Sequence, residues 1–152
     1  MRIGVISDTH GLLRPEALQA LSGVDHILHA GDVGDPKILS TLEEIAPLTA
    51  IRGNIDRSGR CAALPVTEIV DLGGTTFYLL HDLHELDLDP VAAGVSVIIS
   101  GHSHKPLIEH RRGVLYLNPG SAGPRRFSLP ITLGLVTLGD DSPRAEIIPL
   151  FR

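Results

Sequence analysis

Arg2-Ile3-Gly4-Val5-Ile6-Ser7-Asp8-Thr9-His10 decides how the rest of the chain is read. Ile3 to Ile6 is a short, β-branched apolar run, and polar turn chemistry follows it at once. That is the pattern of a buried strand ending in a polar loop. It recurs along the chain. Asp25 to His29 leads to Gly31-Asp32, and Leu48 to Ile51 leads to Gly53-Asn54. Phe77 to Leu80 leads to His81, and Val95 to Ile99 leads to Gly101-His102-Ser103-His104.

Helical patterns separate the first three runs. Pro15 suits a first helical turn, with Leu18 and Leu21 on one face. Asp35 caps a second helix that Pro36 opens, that runs through Ile38, Leu39, Leu42 and Ile45, and that Pro47 stops. The order strand, helix, strand, helix, strand predicts right-handed crossovers and a parallel sheet. In the second half, Val66–Leu72 and Thr75–Leu80 flank Gly73-Gly74, a hairpin turn. A short helix is expected within Leu86–Ala93, starting near Asp89-Pro90. Leu107–Glu109 pairs with Val114–Leu117, and strands near Ile131–Thr137 and Arg144–Ile148 close the chain. The expectation is a layered α/β fold of two stacked sheets, parallel early and antiparallel late. No linker or repeat interrupts residues 1–152, so one domain is expected.

Bulk properties narrow the function. Of 152 residues, 43% are hydrophobic and 20% charged, which suits a compact core. The net charge of −5 argues against a dedicated nucleic-acid binder but not against small phosphorylated substrates, because bound cations reverse the local field. No apolar run approaches the roughly 20 residues that span a bilayer, and the first residues lack a signal-peptide pattern. With the single Cys61, which excludes an internal disulfide, the expected compartment is the cytoplasm. Cys61 has no base beside it and reads as an inert thiol.

Seven side chains near five strand ends can ligate metal: Asp8, His10, Asp32, Asn54, His81, His102 and His104. Singly, each has an ordinary structural explanation: Asp8 as a helix cap, Asp32 and Asn54 as turn residues, His81 as a satisfied histidine. The His102-Ser103-His104 triplet is stronger, since alternate residues of an extended segment project to one side. Ligands in open α/β sheets bind outside the carboxyl ends of the strands, where all seven fall. Carboxylate plus imidazole suits Mn²⁺, Fe, Zn²⁺, Ni²⁺ or Co²⁺ better than Ca²⁺ or Mg²⁺. Seven donors exceed one ion's need, so two cations sharing a carboxylate are expected, an arrangement suited to phosphate-ester hydrolysis.

The ordered set Asp-x-His, Gly-Asp, Gly-Asn, His, Gly-His-x-His resembles the calcineurin-like metallophosphoesterase superfamily. The segments Gly53-Asn54-Ile55-Asp56 and Asn118-Pro119-Gly120-Ser121 resemble its small bacterial and archaeal phosphodiesterase branch. The resemblance, over residues 2 to about 126, implies an α/β/β/α sandwich of two stacked mixed sheets flanked by helices. It implies one metal on Asp8, His10, Asp32 and His104, and a second on Asp32, Asn54, His81 and His102, with Asp32 shared. The implied reaction is in-line attack on a small phosphodiester by a hydroxide between two divalent cations, manganese first among them. A homodimer or homotetramer is the implied assembly.

Two positions depart from the superfamily pattern. Ile55 stands where many members carry a proton-donating histidine, which the small phosphodiesterase branch also lacks, so esters with good leaving groups are expected. Asp82 stands where the branch has glycine, and the expectation is a carboxylate near the cations that alters coordination or substrate charge preference. His84 is a conceivable substitute for His81. Arg57, Lys105, Arg125 and Arg126 are candidates for contacts to the substrate, although solvated charge explains each. His29 is a candidate for orienting the ligands, whereas His26 and His110 read as surface residues. Two other functions fit the fold: a phosphomonoesterase or phosphoprotein phosphatase, and a non-catalytic scaffold like the retromer subunit of this superfamily.

Overall fold

The structure is a computed structural model and describes residues 1–151. Two five-stranded sheets face each other. The first is built from β1 (Arg2–Ile6), β2 (His26–His29), β3 (Leu48–Ala50), β9 (Thr132–Thr137) and β10 (Arg144–Pro149), in the order β10-β9-β1-β2-β3. The second contains β4 (Thr67–Leu72), β5 (Thr75–Leu80), β6 (Val97–Ile99), β7 (Leu107–Arg111) and β8 (Val114–Asn118), in the order β4-β5-β6-β8-β7.

Alternation along the strands sends one set of side chains between the sheets. Ile3, Val5, Leu28 and Ala30 from the first meet Phe77, Leu79, Val97, Ile99, Leu115 and Leu117 from the second. The other face of the first sheet packs on α1 (Pro15–Ala20) and α2 (Pro36–Ile45), where Ala17, Leu21, Leu39 and Leu42 are fully buried. Asp35 caps α2 as expected, its Oδ1 accepting the Lys37 N–H at 2.9 Å. The outer face of the second sheet has a thinner cover. Leu83, Leu86 and Leu88, from a segment holding a 3₁₀ turn (Leu83–Glu85) and the four-residue α4 (Pro90–Ala93), close over Tyr78, Leu80, Ile98 and Tyr116. Another four-residue helix, α3 (Gly59–Ala62), was not expected and holds the buried Cys61.

The strand directions correct one expectation. β1-β2 and β2-β3 are parallel, as the early crossovers require, but β5-β6 and β6-β8 in the late sheet are parallel too. The segment between β5 and β6 crosses over the sheet instead of turning back, and β8 enters beside β6 after β7 has taken the edge. In return, the early sheet receives antiparallel strands from the C-terminal end, β9 against β1 and β10 against β9. The Gly73-Gly74 hairpin forms as read, both residues at positive φ (56° and 82°). No helix of the described residues is long and apolar enough to cross a membrane.

Candidate metal centre

The parallel strands of both sheets end at one place, and their outgoing loops interlock there. Asp8 N–H donates to Gly31 O at 3.0 Å, His10 N–H to Asp32 O at 2.9 Å, and Gly101 N–H to His81 O at 2.9 Å. The loops after β1, β2, β5 and β6 therefore share one hydrogen-bonded frame. Two groups of donors result: Asp8, His10 and His104, and Asp32, His81 and His102, the ligand atoms of each within 4.8 Å of one another. Asp32 Oδ2 lies 3.4 Å from His10 Nε2 and 3.1 Å from His81 Nε2, so it faces both groups. Asp8 Oδ1 stands 3.5 Å from His104 Nε2 and 3.7 Å from His10 Nε2. Asn54 is exposed at the lip of the cleft that His81 and His102 line.

The turns that deliver these side chains are tight. Asp8, His10, Asp32, His102 and His104 all take left-handed backbone (φ 45–70°), uncommon for residues with a Cβ. Strain of this kind persists only where the surroundings over-determine it. Gly53 shows how closely they do: a Cβ there would collide with the Asp32 carboxylate.

Hydrogen bonds fix one atom of Asp8, Asp32 and His81 and leave the other facing inward. Ser7 Oγ (2.7 Å) and the His102 N–H (3.1 Å) hold Asp8 Oδ2, while Oδ1 has no hydrogen-bond partner. The Ile55 N–H holds Asp32 Oδ1 at 3.0 Å, so Oδ2 points inward. His81 Nδ1 donates to Ala30 O at 2.7 Å, which turns Nε2 inward. Asp8 Oδ1, His10 Nε2, His81 Nε2 and His104 Nδ1 are buried without hydrogen-bond partners. Buried polar atoms in that state are rare, each at a penalty of about 1–3 kcal/mol. Four of them among carboxylates and imidazoles fit divalent cations.

Charge distribution agrees. Burial alone would raise the Asp32 pKa, but His81, the Ile55 N–H and His10 hold it down at about 2. Burial likewise opposes charge on His81, yet Asp32, the Ala30 carbonyl and Asp8 raise it to about 9. The His104 pKa is lowered, chiefly by burial. Below pH 9 a proton thus occupies His81 where a cation would sit, and metal must displace it. Loading at pH 7.5 is expected to release about one proton per centre through His81. Calorimetry in buffers of differing ionisation enthalpy measures it; a buffer-independent heat would contradict the geometry.

A surrounding ring of residues holds the loops. His29, fully buried, accepts the Gly31 N–H on Nδ1 (3.1 Å), so its Nε2–H donates to Thr9 Oγ1 (3.0 Å), which donates to Val33 O (2.8 Å). Burial keeps it neutral, with a pKa near 4 despite the pull of Asp8 and Asp56. It braces the loop backbone and does not touch a ligand side chain. Asp56 accepts three backbone N–H groups, from Val33 (3.1 Å), Gly34 (3.1 Å) and Gly53 (2.9 Å). Asn118 Nδ2 donates to Gly101 O (2.9 Å) and Ser103 Oγ (3.1 Å), and Ser121 Oγ donates to Asp8 O (3.0 Å). Sequence reasoning passed over Ser7, Asp56, Asn118 and Ser121 as positioning residues, because polar residues at strand ends read as turn formers.

The weaker candidates divide. Asp82, where the resembled branch has glycine, is extended (φ −112°). Its Oδ1 accepts the His84 N–H at 3.1 Å, and its Oδ2 stands 3.9 Å from His102 Nε2. His84 is 97% exposed and lies outside the donor groups. Arg57 Nε donates to Asn54 O at 3.1 Å, and Arg125 folds back on Leu129 O. Lys105 lines a second cleft beyond His102, and Arg126 lies close enough to His104 to lower its pKa. His26 meets Thr49 Oγ1 at 2.8 Å, and His110 is exposed on β7.

Residues 1–141 match the family description "Calcineurin-like phosphoesterase superfamily domain". A probable metallophosphoesterase of Methanocaldococcus jannaschii is 37% identical, the match covering 99% of this chain and 82% of that one. The Escherichia coli phosphodiesterase YfcE is 28% identical over 97% of each chain. Vps29 of Entamoeba histolytica, solved in complex with Zn²⁺, shares the fold at a TM-score of 0.75, with 22% identity over 99% of this chain and all of that one.

Proposed function

This chain belongs to the calcineurin-like phosphoesterase superfamily, and we propose from that premise that it hydrolyses small phosphodiesters with two divalent cations, manganese preferred. The whole chain would act as one catalytic domain, in the cytoplasm. The observation that carries the reading is the inward set of partnerless donor atoms around Asp32 Oδ2. Asp8, His10 and His104 would hold one cation and His81 and His102 the other, with Asp32 shared and Asn54 joining from the lip. Bound there, the cations would neutralise the anionic ester and lower the pKa of a water.

The chain's own residues set the rest. Ser7 and the His102 N–H keep Asp8 turned, and the Ile55 N–H does the same for Asp32. His81 Nδ1 is spent on Ala30 O, so only Nε2 can face the substrate side. Ile55, partly exposed beside Asn54, offers no proton. That favours esters with a good leaving group over those whose alkoxide departure gains from a positioned acid. Relatives named as phosphodiesterases favour the catalytic reading over a scaffold.

With Mn²⁺, bis(4-nitrophenyl) phosphate is expected to turn over faster than 4-nitrophenyl phosphate; the two share one leaving group, so the ratio reads the ester class alone. Faster turnover of the monoester would favour a phosphomonoesterase.

A further inference from the structure

We infer that the cleft beside His81 and His102 selects phosphodiesters whose non-reacting arm carries an ammonium group. The inference rests on the phosphodiesterase reading for the reaction and on the cleft itself for the arm. The cleft, about 400 Å³, opens directly from the second donor group. His81, only 8% exposed, lines it, and the His81 Nε2 has no hydrogen-bond partner. A phosphoryl group drawn to that atom's cation therefore has this cleft in which to lay its second substituent.

Val66, Leu80 and Tyr78 form the apolar part of its lining. Three carboxylates stand around them, Asp82, Glu85 and Asp87. Among the described residues, neither Glu85 nor Asp87 takes part in an ion pair. Arg52 is the cleft's one guanidinium, and its Nη1 is committed to Ala62 O at 3.0 Å. Asp82 is held in place by the His84 N–H. Carboxylates about an aromatic face form a site for an alkylammonium, which an aromatic ring attracts and a carboxylate neutralises. An arm bearing a second phosphate or a carboxylate would meet like charge, and a neutral arm would gain only apolar contact.

Three substrates with the same leaving group test this: 4-nitrophenyl phosphorylcholine, its neutral isostere 4-nitrophenyl 3,3-dimethylbutyl phosphate, and an anionic 4-nitrophenyl carboxypropyl phosphate. In the Mn²⁺-loaded protein kcat/KM is expected to be at least about tenfold higher for the ammonium arm than for its isostere, mainly through KM. Salt should shrink the ratio, and E85Q/D87N should bring it to about twofold or less, since each carboxylate is worth roughly one neutralising charge. A wild-type ratio near one, a ratio unchanged in the double variant, or preference for the anionic arm overturns the inference. Calorimetry with phosphocholine and 3,3-dimethylbutyl phosphate reads the same preference without turnover. Tighter phosphocholine binding in a protein that hydrolyses none of the three supports the cleft assignment and removes the phosphodiesterase reading; equal binding removes the cleft assignment.

Discussion

Asp32→Ala is expected to lower phosphodiester turnover by at least about 10³-fold, since electrostatic stabilisation by a metal pair is worth several kcal/mol. Asp32 Oδ2 stands nearer to both donor groups than Asp8 Oδ1 does: 3.4 Å from His10 Nε2 and 3.1 Å from His81 Nε2, against 3.7 and 3.8 Å. Alanine would also leave the Ile55 N–H without its acceptor. Asp32→Asn keeps the shape and removes the charge, so it separates a lost ligand from a lost fold. Both variants should retain the circular dichroism of the parent while binding less Mn²⁺ by elemental analysis. Full activity in either would show that the shared carboxylate has been assigned to the wrong residue.

Asp56→Ala is expected to cost about 3–5 kcal/mol, because three backbone N–H groups lose a charged acceptor at once. For a chain of this size that is a fall in melting temperature on the order of 10 °C. Oδ2 serves Val33 and Gly53 while Oδ1 serves Gly34. Asp56→Asn should therefore rescue little, since its amide group would turn donors toward donors on one side. Val33 follows Asp32 and Gly53 precedes Asn54, so Mn²⁺ affinity should also drop, by about 10–100-fold as for other residues that orient ligands. Thermal unfolding and metal titration of the two variants measure both effects. A melting temperature equal to the parent's would mean that the Asp56 contacts carry no weight.

Local chemistry made much of this arrangement readable. The apolar runs before Asp8, Asp32, His81 and His102 are strands, and Asp35-Pro36 begins a helix because a cap and a donorless first turn are written in the sequence. Strand direction was less accessible. Nothing near Arg2 announces that its partner is Thr137, or that β8 will lie parallel to β6. The positive φ of His10, His102 and His104 was equally hidden, since no local motif demands it and only the interlocked loops enforce it. Asp56 looked like one more polar turn residue, and its three bonds reach loops that are neighbours in space only. Asp82 was read, against the glycine of the resembled branch, as a carboxylate near the cations, and the sequence did not show that its side chain caps the 3₁₀ turn.

The pairing of β1 with β9 has a consequence for how the protein is made. Arg2 emerges from the ribosome long before its partner Thr137 is added. At roughly 5–20 residues per second, one flank of the first strand stays open for on the order of ten seconds. Ser121 and Ala122, which bond to Asp8 and Ser7, also arrive late. The nascent chain must therefore hold an apolar edge without a mate until β9 has been made.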